Sequence, residues 1–306
     1  MEKRLKILLA TDYSEVALNA ERYAIRLAQS LHANITFLHV FNITYELSAK
    51  PEEFAKSAEE LYQYELKHMD QHCESLLSAM GIREGELIYE QIIREGDNIG
   101  KQIMHEAREC NADLIAIGTH GVSGFQKLFF GNHAWEVTKR SNTTVLAIPK
   151  DAAFKEIKNI VYGTDYRKSE IPGLNFLVHF AEMLHAHVTM LHIKDHLSPE
   201  PDELEAPEKF KYEMVYNILF PEFEMRKILG KNIVESIHQF CNENKTDLLV
   251  MCPEKPSLFE TIFSSGASVG REAIFQTHIP LMAIPDSYTP RPHTQELSEV
   301  QRRASL

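Results

Sequence analysis

Apolar residues alternate in kind along the chain, and the alternation predicts a regular order of elements. "RLKILLA" is a short apolar run that ends at Thr11-Asp12 and reads as a first strand. "SEVALNAERYAIRLAQSLH" carries apolar residues at helical spacing, with Ser14 placed to cap the helix. "NITFLHV" reads as a strand, and residues 51–81 as a long helix with an acidic start. "ELIYEQII" alternates as a strand does, and "DNIGKQIMHEAREC" reads as a helix opened by Asp97. "DLIAIG" is a buried strand, "NHAWEVTKRS" a helix, and "TVLAIP" a last strand stopped by Pro149. Strands that alternate with helices and are apolar along their whole length predict a parallel, doubly wound sheet covered on both faces.

The pattern then repeats. Thr11-Asp12-Tyr13 returns as Thr164-Asp165-Tyr166, Leu31-His32-Ala33 as Leu184-His185-Ala186, and Leu38-His39-Val40 as Leu191-His192-Ile193. All three pairs share an offset of 153 residues, so the chain is a duplicated domain. The expected divisions are 1–150, 151–286 and a polar, proline-bearing tail over 287–306. His192 to Asp247 spans 55 positions where His39 to Asp113 spans 74. The deficit of 19 falls on the long second helix of repeat 1, so that crossover is expected to be a loop or a short helix in repeat 2.

Composition narrows the function. A net charge of -12 argues against a nucleic-acid binder and offers nothing to anionic lipid. The N-terminal apolar run is too short for a signal peptide or membrane span, and the expected location is the cytoplasm. Four separated cysteines, with no CxxC pair, argue against a disulfide framework or thiolate zinc site. Neither His105 with Cys110 nor His238 with Cys241 has the repeated spacing of a metal site. His39 and His192 are expected to be structural or pocket-wall residues, and Trp135 a packed helix-surface residue. No Ser-His-Asp or paired-carboxylate arrangement can be assigned from spacing.

The chemistry concentrates at one junction. Ligands of open parallel sheets bind beyond the C-terminal strand ends, where Asp12 and Gly118 should lie. Glycine permits close backbone approach and positive φ. Gly118, Gly121 and the amides of Gly131, Asn132 and His133, at the start of a helix, could cradle phosphates. Asp12 could accept from a ribose or base. The bland alternative is that the glycines only make tight turns.

"GTHG", the nine residues "VSGFQKLFF" and then "GN" resemble the universal stress protein signature G-x-x-G-x9-G-[ST], as do "ATDYSE", "LHV" and "VLAIP". No Walker A loop occurs. The resemblance implies a tandem member, with two doubly wound five-stranded parallel-sheet domains of the adenine-nucleotide alpha hydrolase type, related by a pseudo-two-fold axis. It implies ATP, with or without Mg2+, held by Ala10, Thr11, Asp12, Val40, Ile117, Gly118, Gly121, Gly131, Asn132 and His133. Asn132 departs from the family's Ser or Thr, which puts phosphate affinity and any slow hydrolysis in question. Repeat 2 has Cys252 and Lys255 in place of Gly118 and Gly121, and Glu254 in place of His120, so it is expected to keep the fold and lose the phosphate cradle.

Three functions stand open: an ATP-binding stress or signalling module, not an enzyme beyond slow ATP hydrolysis; a scaffold or small-molecule sensor of the same fold that binds no nucleotide; and, with least support, a pyrophosphate-forming ligase. The expected assembly pairs final strands, 144–148 against 281–284, as an intramolecular pseudo-dimer, with a homodimer also open and any protein partner unknown.

Overall fold

The computed structural model describes residues 4–42, 58–119, 132–195, 206–217, 223–230, 233–253, 278–286 and 288. The chain forms two compact units that meet in sequence between Phe154 and Lys155.

In the first unit, β1 (Lys6–Thr11), β2 (Asn34–Phe41), β3 (Tyr89–Glu95), β4 (Leu114–Thr119) and β5 (Thr144–Pro149) lie in the order β3-β2-β1-β4-β5. All the pairings between these strands are parallel. Among the described residues, four helices connect them: α1 (Glu15–Leu31), α2 (Ala58–Ala79), α3 (Ile99–Glu109) and α4 (Asn132–Arg140). β1, β2, β4 and β5 are buried along nearly their whole length because the crossovers lay helices on the sheet, whereas β3 at the end of the order is mostly exposed or half-buried. Ile7, Leu8, Leu9, Phe37, Leu38, Leu146 and Ile148 form the centre of the core.

The second unit has the same plan. β6 (Asn159–Gly163), β7 (His187–Asp195), β8 (Glu224–Gly230), β9 (Leu248–Met251) and β10 (Leu281–Ala283) run in the order β10-β9-β6-β7-β8. Read from the opposite end, this is the strand order of the first unit. α5 (Ile171–Leu184), α6 (Ala206–Asn217) and α7 (Ile233–Glu243) are its described helices. The shortened crossover is a helix of 12 residues where α2 has 22.

The three repeated triplets have structural causes. In "TDY", Thr11 Oγ1 accepts from the Tyr13 N–H at 3.0 Å, and Thr164 does the same for Tyr166 at 2.9 Å. Both tyrosines hold left-handed backbone, φ 61° and 59°, a conformation uncommon outside glycine. In "LHA", His32 and His185 end their helices in the same left-handed conformation, and their N–H groups return to the last turn. In "LHV" and "LHI", His39 Nδ1 lies 2.9 Å from the Thr11 carbonyl and His192 Nδ1 2.8 Å from that of Thr164. A carbonyl only accepts, so Nδ1 carries the proton in both rings. A fourth pair, Asp113 and Asp247, bounds the crossovers of unequal length. Asp113 accepts from the Lys6 N–H, and Asp247 from those of Lys158 and Asn159, tying the fourth strand's start to the first strand of its unit.

One boundary differs from expectation. The cap of α3 is Asn98, whose side chain accepts from the Lys101 N–H at 2.8 Å. Asp97 accepts instead from the Asn42 amide at 2.8 Å, which joins the turn after β3 to the end of β2. Ser14 caps α1 as expected, accepting from the Ala17 N–H.

Candidate functional site

A cavity of about 120 Å³ opens at the C-terminal ends of β1, β2 and β4. Ala10, Thr11 and Asp12 line it from β1 and its turn, and Leu38 and Val40 from β2. Ile117 and Gly118 come from β4, Ser14, Val16 and Ala17 from the start of α1, Ile99 and Ile103 from α3, and His133 and Ala134 from the first turn of α4. The walls are mainly apolar. The polar groups gather on one side, from the turn after β1 and from α4.

Local chemistry fixes this arrangement. Asp12 Oδ1 accepts from the Ser14 N–H at 3.0 Å, which shapes the turn into α1. On β2, Leu38 and Val40 face the cavity, so His39 between them faces the other side of the sheet. There its Nε2 lies 3.6 Å from Glu65 on α2, and its ring packs 4.4 Å from that of Tyr13. His68 and His72 of α2 flank the same tyrosine, and His72 is 2.8 Å from the buried Glu21 of α1. Burial holds the His39 imidazole below its ordinary value, against the Thr11 carbonyl and the Glu65 charge, which raise it. The same burial, with Glu65 adding to it, pushes the Tyr13 hydroxyl far up. His39 is thus part of the support behind the Thr11 turn.

Of the positions expected to hold a ligand, Ala10, Thr11, Asp12, Val40, Ile117, Gly118 and His133 share this one cavity. Gly121 and Gly131 lie outside the described residues, as does the side chain of Asn132, although its backbone begins α4. Sequence reasoning did not single out Leu38, Val16, Ala17, Ile99, Ile103 or Ala134. Leu38 lies on β2, and the others are apolar residues in the first two turns of helices that start beside the strand ends.

Gly118 meets the protein's own chain as well as the cavity. A Cβ there would stand 2.9 Å from the Val16 carbonyl oxygen and 3.1 Å from Val16 Cγ1. Its missing side chain makes room for the protein's own α1, and its φ is not in the left-handed region. Among the described residues no group of three or more His, Cys, Asp or Glu could hold a metal ion. Among them, too, no helix is long and apolar enough to cross a membrane. Trp135 is half-buried on α4, with Lys139 Nζ 5.5 Å from its ring centroid.

The strand order, the parallel pairing and a crevice at the carboxyl ends of β1 and β4 define a doubly wound α/β domain. Residues 3–149, which span the first unit, match the universal stress protein family. A universal stress protein of Methanocaldococcus jannaschii is 28% identical over 145 residues, covering 47% of this chain and 82% of that protein. The crystal structure of a universal stress protein from Archaeoglobus fulgidus superposes with a TM-score of 0.67 at 17% identity, covering 92% of this chain and 98% of that one. The structure of a universal stress protein from Pseudomonas aeruginosa gives 0.56 at 13% identity, covering 98% of each chain. These two span both units and share their fold.

Proposed function

We propose that the first unit binds an adenine nucleotide, ATP, at the ends of β1 and β4, and that the chain serves as a stress-response or signalling module whose output depends on that occupancy. The observation that carries this reading is the cavity that gathers Asp12, Val40, Ile117 and His133, four positions far apart in sequence. Leu38, Val40, Ile103 and Ile117 supply apolar surface suited to the faces of a base. Asp12 and Ser14 offer oxygens to ribose hydroxyls. The start of α4 presents N–H groups and the positive end of a helix dipole to phosphate. In this reading the second unit completes the fold without a phosphate cradle, and the chain is a binding module with at most slow ATP hydrolysis.

A second reading, a small-molecule sensor that takes no nucleotide, draws on the cavity's size. About 120 Å³ is below the roughly 300–1,000 Å³ of most ligand pockets. Denaturing the purified chain and analysing the supernatant separates the two. Released adenine nucleotide near one equivalent per chain supports the first. Its absence, together with no response to added ATP, supports the second.

A further inference from the structure

The cavity of the first unit has little with which to meet an anion. The chain carries a net charge of -12, which repels anions at long range. At short range, β2, β4, α1 and α3 line the cavity with uncharged side chains only. The turn after β1 brings the Asp12 carboxylate, and α4 brings His133. Among the described lining residues, His133 is therefore the one group that can carry positive charge. It is the second residue of α4, where backbone N–H groups lack helical partners, and it is exposed, so solvent protons reach it. The charges around it are few. β4 and β5, on which α4 packs, hold no titratable side chain. On α4 itself Glu136, one turn further on, is 3.2 Å from Arg140 and lies against Gly100 of α3. The charge that shares the cavity with His133 is that of Asp12.

We infer that His133 makes anion binding in this cavity proton-linked: the imidazole takes up a proton from solvent as the anion enters and returns it as the anion leaves, so the first unit loads more readily as pH falls from 8 to 6. With a neutral imidazole the described lining holds only the negative charge of Asp12, and a phosphate group meets repulsion. With a protonated imidazole that charge is offset, and both ring N–H groups are donors for phosphate oxygens. Histidine is the side chain whose charge changes in this range. The linkage is reciprocal, since an anion that prefers the charged ring also draws the proton onto it. Lysine or arginine at 133 would hold an anion at every pH in the range, whereas histidine makes loading conditional. The identity of the anion, though not the linkage, rests on the nucleotide reading above.

Calorimetric titrations of the full-length chain with ATP at pH 6, 7 and 8, in buffers of different ionisation enthalpy, read both affinity and proton uptake. ATP titrates in the same range, so the reference is His133→Gln, which meets the same ligand. From pH 8 to 6 the wild type is expected to gain about 5- to 10-fold more affinity than His133→Gln, between the worth of an exposed ion pair and that of a hydrogen bond to a charged group. At pH 7 it is expected to take up more protons per ATP than His133→Gln does. His133→Arg is expected to bind more tightly than the wild type at pH 8, with the shallower pH slope of His133→Gln. Parallel profiles for the wild type and His133→Gln overturn the linkage, as does His133→Arg binding no better than His133→Gln at pH 8. Loss of the Trp135 unfolding transition in one variant leaves the other to decide. If the wild type takes no ATP at any of these pH values, the nucleotide reading fails, and inorganic tripolyphosphate decides the linkage alone. Saturable binding that strengthens with acid in the wild type and not in His133→Gln upholds it, and no binding overturns it.

Discussion

Replacing Gly118 by alanine puts a methyl group 2.9 Å from the Val16 carbonyl oxygen, 3.1 Å from Val16 Cγ1 and 3.2 Å from the Val16 carbonyl carbon. Two of these atoms are backbone, so relief requires moving the start of α1 and not merely a side chain. Overpacking of this kind costs about 1–3 kcal/mol. Against it stands a gain of about 0.4–1 kcal/mol, because alanine restricts the unfolded chain more than glycine does and the native φ is not left-handed. The net expectation is a loss of about 1–2 kcal/mol. Trp135 is the chain's one tryptophan and lies on α4, so its fluorescence reports on the first unit selectively. With a urea slope of about 1–3 kcal/mol per molar, the midpoint should fall by roughly 0.3–2 M. A midpoint unchanged or raised refutes the contact argument and returns Gly118 to the role of ligand approach. The distinction also matters for binding. Loss of affinity in a Gly118→Val variant cannot be credited to a blocked ligand unless that variant's stability has been measured beside it.

Glu170 gives a pH dependence of definite sign: burial raises its carboxyl to about 7 from 4.5, outweighing hydrogen bonds from Thr164 and Asp165 that lower it. The folded chain therefore holds this proton more tightly than the unfolded one. The resulting stabilisation is complete below about 4.5 and is lost as pH rises through about 7. In thermal melts between pH 4.5 and 8 the wild type should lose ground to Glu170→Gln as pH rises, and parallel profiles would show that Glu170 does not titrate there. Ser14→Ala removes the cap of α1 and should cost about 1 kcal/mol in the Trp135 urea transition, checked by a falling midpoint at constant slope. Asn132→Ser, which restores the hydroxyl of the family signature, should tighten ATP binding by about 0.5–1.5 kcal/mol in a titration. A weaker complex would make asparagine the better donor. Residues 1–150 expressed alone, deprived of the second unit, should dimerise through 145–148 or precipitate, since an unpaired apolar strand needs a cover. A soluble monomer in sedimentation argues against pairing of the final strands.

The fold was legible because its signals are local and repeated. "TDY", "LHA" and "LHV" each encode a hydrogen-bonded turn or a helix end, and such features bind residues close in sequence or in adjacent strands. What marked the duplication was therefore structural chemistry, and Tyr13, His32 and His39 owe their recurrence to backbone geometry rather than to a ligand. The site was legible in part. Asp12, Val40 and Ile117 fall at strand ends, where topology alone brings them together. Ile99 and Ile103 were not foreseen, because nothing in the spacing of α3 says which of its apolar residues clears the sheet and reaches the crevice. The contact of Gly118 with Val16, 102 positions earlier, was not foreseen, because it leaves no mark in either segment. Glu170 was passed over because an acidic residue beside a helix start reads as a solvated cap. Only the folded chain shows it 4% exposed among four donors.

The central claim is tested most directly by calorimetric titration of the full-length, nucleotide-stripped chain with ATP, alongside Ile117→Asp. That substitution places a charge on the apolar wall of the cavity, at a residue now 7% exposed. The account predicts saturable binding of one ATP per chain, lost in the variant while its Trp135 transition remains cooperative. No saturable heat from the wild type, or binding that survives a folded Ile117→Asp unchanged, would contradict it.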